Sequence, residues 1–180
     1  MNRLSLPLAA LAAALLAPAW SLTASAQTPP VAVADQRPLL ESPDPRLAAN
    51  KRLVFDMYRT VLNGGRAGEA HRFVADGYVQ HNPNVEGGRK GLEDYIRRTR
   101  PERPVPDQIA FPIVTIMAEG DLVLVASVST EPDPDAPGRT YTTTHFDLFR
   151  VADGRIVEHW DNVPKGQVHA TRDPNVPAAR

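Results

Sequence analysis

The sequence contains no cysteine among its 180 residues. This absence excludes disulfide bonds, zinc sites built on thiolates and a lipid anchor attached to cysteine. A folded chain of this length has to be stabilised by its apolar core alone, and it is long enough to build one.

The sequence also lacks an excess of positive charge. Its net charge is -1 and its pI is about 6.5. A nucleic-acid binder needs a basic surface to neutralise phosphates, so that class is excluded. The most basic run is GRKGLEDYIRRTRPER, in which Glu93, Asp94 and Glu102 alternate with the cations. Such alternation is typical of a solvated helix face.

The sequence also has no apolar run long enough to span a bilayer comfortably. The longest one, Leu4 to Leu16, is short and is interrupted by Pro7, with Pro18 close behind. Arg3 precedes it, and Ala24-Ser25-Ala26 follows as a small-x-small site. This pattern predicts a secretory signal peptide cleaved after Ala26, and a mature protein in the periplasm or secreted, away from the membrane. A retained anchor and a buried N-terminal helix fit the pattern less well.

We expect four segments: a signal peptide at 1–26, a flexible proline-rich lead-in at 27–45, a folded domain at 46–163 and a flexible tail at 164–180. Within the domain, helical spacing predicts a helix from Leu47 to Leu62, preceded by Asp44-Pro45 and ended by Gly64-Gly65. A shorter helix is predicted at 67–74, a turn-rich connection after it, and a third helix at 90–98.

After Asp107 the pattern becomes that of strands. Two strands surround a Glu119-Gly120-Asp121 turn, and two more flank Asp153-Gly154. Helices followed by an antiparallel sheet predict the α+β class, with the helices packed over one face of a curved sheet.

The last hairpin, FDLFRVADGRIVEHWD, carries an unusual number of titratable side chains, which are His145, Asp147, His159 and Asp161. A two-residue loop at Asp153-Gly154 would place Asp147 opposite Trp160. A three-residue loop with a left-handed Gly154 would place Asp147 opposite His159 and His145 opposite Asp161. We favour the three-residue loop because it separates the two faces more consistently. One face then carries His145, Asp147, Phe149, Val157, His159 and Asp161, and the other carries Phe146, Leu148, Arg150, Ile156, Glu158 and Trp160.

Two interpretations of that first face remain open from spacing alone. In an apolar pocket, two close carboxylates raise the pKa of one of them, and an aspartate beside a histidine can move a proton from carbon to oxygen. On a solvent face, the same residues form a plain polar ladder, which is the commoner arrangement. Two histidines and two aspartates could also bind a metal, but no short-spaced ligand motif is present, so we expect none.

Three segments, in this order, resemble the SnoaL-like polyketide cyclase family of the nuclear transport factor 2-like superfamily. They are YVQHNPNVEGGRKGLEDYI, IMAEGDLVLVASV and FDLFRVADGRIVEHWD, and the resemblance extends from about Leu47 to Val163. It implies a cystatin-like cone, in which three N-terminal helices close over a bent antiparallel sheet around an apolar pocket. It also implies a homodimer or higher oligomer built on the outer sheet face and an intramolecular aldol condensation that uses no metal or organic cofactor.

By motif position, the resemblance makes Asp161 the acid/base. The cyclases have a histidine on the preceding strand where this chain has Asp147, and His145 lies on the same face two residues earlier. Asn82 matches a pocket asparagine of the family. His81 beside it is a candidate pocket donor or, equally, a loop side chain bonded to nearby backbone. Further candidate ligand contacts are Tyr58, Phe149 and His159.

Two functions follow as hypotheses. In the first, an exported enzyme binds a small apolar carbonyl compound, and Asp161 acts as general base for aldol-type cyclisation or isomerisation. Asp147 or His145 then tunes the base or stabilises the enolate oxygen. In the second, the same fold is a non-catalytic periplasmic small-molecule binder or dimerisation module. The export signal and Asp147 favour the second, whereas carboxylates in an apolar pocket favour the first.

Overall fold

The computed structural model describes residues 28–166. The expected signal peptide at 1–26 and most of the expected tail at 164–180 lie outside the described residues. Among residues 28–166, no helix is long and apolar enough to cross a bilayer.

The first helix, α1, spans Pro45–Met57 and begins where the sequence predicts. The Asp44 side chain accepts a hydrogen bond of 2.8 Å from the Arg46 amide, and Pro45 occupies the first helical turn. The chain continues without a break as a π-helix over Tyr58–Asn63 and ends at Gly64. Gly65 then adopts a φ of 65°, which reverses the chain direction.

The segment after α1 differs from the prediction. The expected helix at 67–74 is a 3-10 helix, Ala67–Arg72, and the expected turn-rich connection contains a strand, β1, at Val74–Gln80. The second α-helix, α2, spans Gly88–Thr99 and confirms the predicted helix at 90–98. The described part of the chain therefore has two α-helices, extended or linked by shorter helical turns, instead of three.

Four further strands complete one sheet: β2 at Ile113–Glu119, β3 at Leu122–Pro132, β4 at Thr140–Ala152 and β5 at Arg155–Asp161. The strand order is β1-β5-β4-β3-β2. Strands β2 to β5 are antiparallel, as predicted, but β1 lies parallel to β5 at the edge. The expectation of a purely antiparallel sheet is wrong for this pair, because β1 reaches the sheet by way of the helical layer and not through a hairpin.

The β4–β5 hairpin corrects the predicted register. Its loop has two residues, Asp153 and Gly154, with φ values of 49° and 66°, as a type I′ turn requires. A bulge at Val157 then shifts the pairing, so that Asp147 lies opposite Asp161 and Phe149 opposite His159. The predicted three-residue loop is wrong, and so is the placement of Val157 with the site residues, since Ile156 fills the inner face there.

The lead-in expected to be flexible is packed on the domain over its described part. The buried Gln36 side chain donates to the Ile109 carbonyl at 2.8 Å and accepts from the Ile109 amide at 2.8 Å. The Lys51 ammonium donates to the carbonyls of Leu39 and Glu41. The apolar core lies between α1, α2 and the inner face of the sheet.

Candidate active site

A cavity of about 110 Å³ lies between the end of α1, the α2 helix and the inner face of the sheet. One part of its wall is apolar and is formed by Met57, Leu62, Leu92, Phe111, Phe149 and Val163. The other part carries hydrogen-bonding groups from Tyr58, Gln80, Asn82, His145, Asp147, His159 and Asp161. An apolar cavity with a few convergent polar groups is the usual form of a small-molecule site.

Asp147 is the centre of the polar part. Its side chain is 15% exposed and accepts hydrogen bonds from the Tyr58 hydroxyl, from His159 Nε2 at 2.9 Å and from His145 Nε2 at 3.3 Å. Burial by itself would raise the pKa of this carboxyl, but the hydrogen bonds and charges of His145 and His159 outweigh it and hold the pKa well below the ordinary value. Asp147 is therefore ionised at neutral pH.

His159 is held from both sides. Gln80 Oε1 lies 2.9 Å from His159 Nδ1 and also accepts the Asn82 amide at 2.9 Å, which fixes the orientation of the Gln80 side-chain amide. Nδ1 must therefore donate its proton to Gln80. On the other side of the ring, Nε2 lies 2.9 Å from Asp147 Oδ1, so Gln80 and Asp147 together fix the position of the imidazole.

Asp161 faces the cavity from the end of β5. Its Oδ2 accepts from Asn82 Nδ2 at 2.5 Å and its Oδ1 from the Val163 amide at 3.0 Å. Each oxygen thus keeps a lone pair beyond the one used by the protein. Donor or acceptor atoms of Asp161, Asp147 and His159 all lie within 4.8 Å of one another. The site therefore combines a fixed proton acceptor with a nearby proton donor.

Tyr58 and Phe149 pack against the polar side chains of the site. The Tyr58 ring makes edge-to-face contacts with Phe111 and Phe149, and Phe149 stacks on His159 with 4.7 Å between the ring centroids. Burial and the nearby Asp147 charge raise the pKa of Tyr58 well above its ordinary value. The phenol therefore stays protonated and serves as a donor.

The structure brings seven of the eight predicted site residues to the cavity: Tyr58, Asn82, His145, Asp147, Phe149, His159 and Asp161. His81 is the exception, and its predicted place in the pocket is wrong. Its ring stacks on Trp160 at 5.0 Å, and its Nε2 lies 2.9 Å from Glu158 Oε1, both on the outer side of the sheet. Alternation along the chain explains this, because Gln80 and Asn82 point inward on either side of it.

Gln80 and Arg100 line the cavity and were not predicted. For Gln80 the alternation with Asn82 was an available signal, but it required knowing that this segment is a strand. Arg100 was assigned to a solvated helix face because it belongs to the basic run of α2.

Asp147, His159 and Asp161 also have donor atoms close enough to share a metal ion. A metal at that position would have to displace the proton between His159 and Asp147, since Nε2 would become a ligand. The existing hydrogen bonds already use the same atoms.

An α+β fold with a mixed five-stranded sheet and few helices is that of the nuclear transport factor 2-like class. The chain belongs to the SnoaL-like domain family, which its sequence matches over residues 54–159, more than half of the 180 residues. No curated protein matches the chain.

Several solved structures are similar. TsrD from Streptomyces laurentii is 22% identical with a TM-score of 0.44, and the match covers 64% of this chain and 87% of TsrD. A Jannaschia sp. CCS1 protein named as a SnoaL-like polyketide cyclase is 17% identical with a TM-score of 0.47, covering 68% and 91%. An epoxide hydrolase of the LEH-like type from M. tuberculosis is 18% identical with a TM-score of 0.46, covering 65% and 84%. The family assignment rests on the sequence match, not on these similarities.

Proposed function

We propose that the chain is an exported small-molecule enzyme in which Asp161 removes a proton from a carbon next to a carbonyl group. The reaction class is aldol-type cyclisation or isomerisation. The observation that supports it most is that Asp161, a carboxylate acceptor, and His159, a candidate proton donor, have atoms within 4.8 Å of each other in one cavity. Proton transfer by a positioned side chain needs this pairing of acceptor and donor.

The proton and electron movements balance as follows. Asp161 accepts the proton from carbon, and the electron pair of the C–H bond moves into an enolate. The enolate oxygen accepts a hydrogen bond from His159 Nε2 or the Tyr58 hydroxyl, which otherwise donate to Asp147. In an isomerisation, Asp161 returns the proton to a different carbon. In an aldol step, the enolate carbon bonds to a second carbonyl carbon, whose oxygen takes the proton.

Of the two roles considered for Asp147, tuning the base and stabilising the enolate oxygen, only the first fits its charge. An ionised carboxylate repels an enolate oxygen, so Asp147 is not its stabilising group. It contacts Tyr58, His145 and His159 and so fixes the positions of these candidate donors in the site. This corresponds to the tuning role that the sequence left open for it.

We further propose a periplasmic or secreted mature protein that takes a small, mainly apolar carbonyl compound and forms a homodimer through the outer sheet face. Phe146 on β4 supports the dimer, because its side chain lies on that face and the residue is 45% exposed. Mass spectrometry of protein exported by a Gram-negative host tests the localisation, with Gln27 expected as the first residue. An intact Met1 after export would contradict cleavage after Ala26.

The catalytic proposal is tested by incorporation of deuterium from D₂O into the carbon next to the carbonyl of small ketones and keto esters. Wild-type protein should catalyse exchange, and Asp161→Asn should slow it by about 10²- to 10⁴-fold, the usual contribution of a general base. NMR spectra of the ketone over time provide the measurement.

Asp153→Asn is the matched control, since it makes the same chemical change on the same hairpin. Asp153 is exposed in the turn, and its φ of 49° suits asparagine. Exchange by this variant should equal that of wild type. Equal exchange by wild type and Asp161→Asn would overturn the proposal, and saturable ketone binding without exchange would support the non-catalytic binder instead.

A further inference from the structure

Within residues 28–166, Arg100, just beyond the C-terminus of α2, is the only arginine or lysine that lines the cavity. Its guanidinium lies over the Phe111 ring, 5.6 Å from the centroid. Phe111 also lines the cavity and contacts Tyr58, so the Arg100 side chain belongs to the same cavity as the proposed base, Asp161.

No acceptor within residues 28–166 satisfies this guanidinium. Its Nε is buried without a hydrogen-bond partner, and the described residues give its Nη atoms neither a hydrogen bond nor an ion pair. A guanidinium removed from part of its hydration without a partner costs free energy, so a compensating anion binds favourably there.

Four other arginines of the described chain are paired with carboxylates. Arg59, Arg89, Arg97 and Arg150 each form an ion pair with a carboxylate within 3.3 Å. The sequence around Arg100 offers carboxylates too, yet Glu93 and Asp94 pair with Arg97. Arg100 is therefore left unpaired at a position that faces the cavity.

We propose that Arg100 binds a carboxylate of the ligand, so that the substrates are keto acids, with the reacting carbonyl at Asp161 and the acid group at Arg100. The location of the reacting carbonyl rests on the proposed function, whereas the anion site does not. The cation–π contact with Phe111 leaves the Nη atoms, which have no partner among the described residues, available to a carboxylate oxygen. A phosphate fits less well, because its second charge would lie in a cavity of about 110 Å³ that already holds Asp147 and Asp161.

The test compares the binding of 5-oxohexanoate with that of its methyl ester, measured by calorimetry on the mature protein. The acid should bind about tenfold more tightly than the ester, which corresponds to one charge-assisted hydrogen bond. Arg100→Gln should abolish this preference and leave the affinity for the ester unchanged. Arg100→Lys should retain part of the preference, and raised salt should weaken it.

Arg98→Gln is the matched control, since Arg98 is two residues away, lies over the Tyr95 ring and does not line the cavity. This variant should keep the wild-type preference, and thermal melts should show all variants folded. Equal binding of acid and ester, tighter binding of inorganic phosphate than of the acid, or no binding of either compound would overturn the proposal.

The acid preference should persist in Asp161→Asn, in which the proposed base is absent. An acid preference in wild-type protein that catalyses no deuterium exchange would show that the anion site holds while the proposed reaction fails. Exchange by wild-type protein without an acid preference would show the reverse.

Discussion

At the scale of single residues, Asp147 determines most of the geometry of the site. Three donors meet on this one carboxylate, from Tyr58, His145 and His159. Removing one partner of a buried charged pair leaves the others without compensation, which is more costly than losing a surface ion pair. The free energy of unfolding should therefore depend on the charge of Asp147.

We predict that Asp147→Asn lowers the free energy of unfolding at pH 7 by about 3 kcal/mol, because it removes the charge that His159 and His145 face. Tyr58→Phe should cost only about 1 kcal/mol, since it deletes one hydrogen bond and keeps the charge. Urea unfolding followed by circular dichroism measures both. A loss below 0.5 kcal/mol for Asp147→Asn, a bound of roughly the size expected for surface substitutions, would contradict the central role of Asp147.

Wild type and Asp147→Asn should also differ in how their free energy of unfolding depends on pH. The pKa of Asp147 is lower in the folded chain than the ordinary value of 3.8 that applies to the unfolded chain. The stabilisation is therefore fully present above about pH 4 to 5 and is lost as the pH falls below 4 toward the folded-state pKa. The stability difference between wild type and Asp147→Asn should shrink as the pH falls from 5 to 3.

Much of the residue-level site could be predicted from alternation along two strands and from a motif. His145, Asp147, His159 and Asp161 share a face because the strand period is two, and the error in the loop left that grouping unchanged. Arg100 could not be predicted, since whether a basic residue at a helix end faces water or a cavity depends on what packs beside it.

At the scale of elements, the β4–β5 hairpin combines a tight turn with a bulge. The turn alone would place His159 and Asp161 on the outer face, and Val157 as the extra residue returns them to the inner one. A bulge of this kind has no clear signature in sequence, which is why neither loop length considered from sequence alone yields the observed register.

The turn itself provides a prediction. Asp153→Val should lower the free energy of unfolding by about 1 to 2 kcal/mol, because a β-branched residue is strained at a φ of 49°. Asp153→Asn should be neutral or slightly stabilising, since asparagine favours this conformation in type I′ turns. Thermal unfolding distinguishes the two, and equal midpoints for both variants would mean that the turn does not adopt this conformation.

Strand β1 shows the limit of local prediction. Its sequence, VADGYVQ, has a central glycine, and neither its apolar residues nor its burial follow a simple alternation. It is a strand because β5 supplies a parallel neighbour far along the chain, with Gln80 paired to His159. That pairing also places Gln80 beside the His159 ring. Gln80 was therefore missed as a site residue for the same reason that β1 was missed as a strand.

At the scale of the whole molecule, the lead-in is part of the folded domain over its described residues. Nothing in the local sequence indicates that Gln36 is buried. Its side-chain amide nevertheless forms two hydrogen bonds with the backbone of Ile109. The Val33 amide also donates to the Ile113 carbonyl at 2.8 Å, which attaches the segment to β2.

We predict that Gln36→Ala lowers the free energy of unfolding by about 2 kcal/mol, because two buried backbone groups of Ile109 lose their partner. Asp35→Ala is the matched control, since the Asp35 side chain bonds only to exposed Arg37. It should change stability by less than 0.5 kcal/mol, as expected of surface pairs. Equal effects of the two substitutions in urea unfolding would show that the lead-in does not support the domain.

The central claim is that the cavity brings a carbon next to a carbonyl to Asp161. The most direct test is a crystal structure of Asp161→Asn with 5-oxohexanoate, because this variant should bind the keto acid without consuming it. We predict that a carbon adjacent to the ketone lies within about 3.5 Å of the residue 161 side chain, the distance of a reactive arrangement. A keto acid bound with its ketone directed away from residue 161, or bound outside the cavity, would contradict the proposed function.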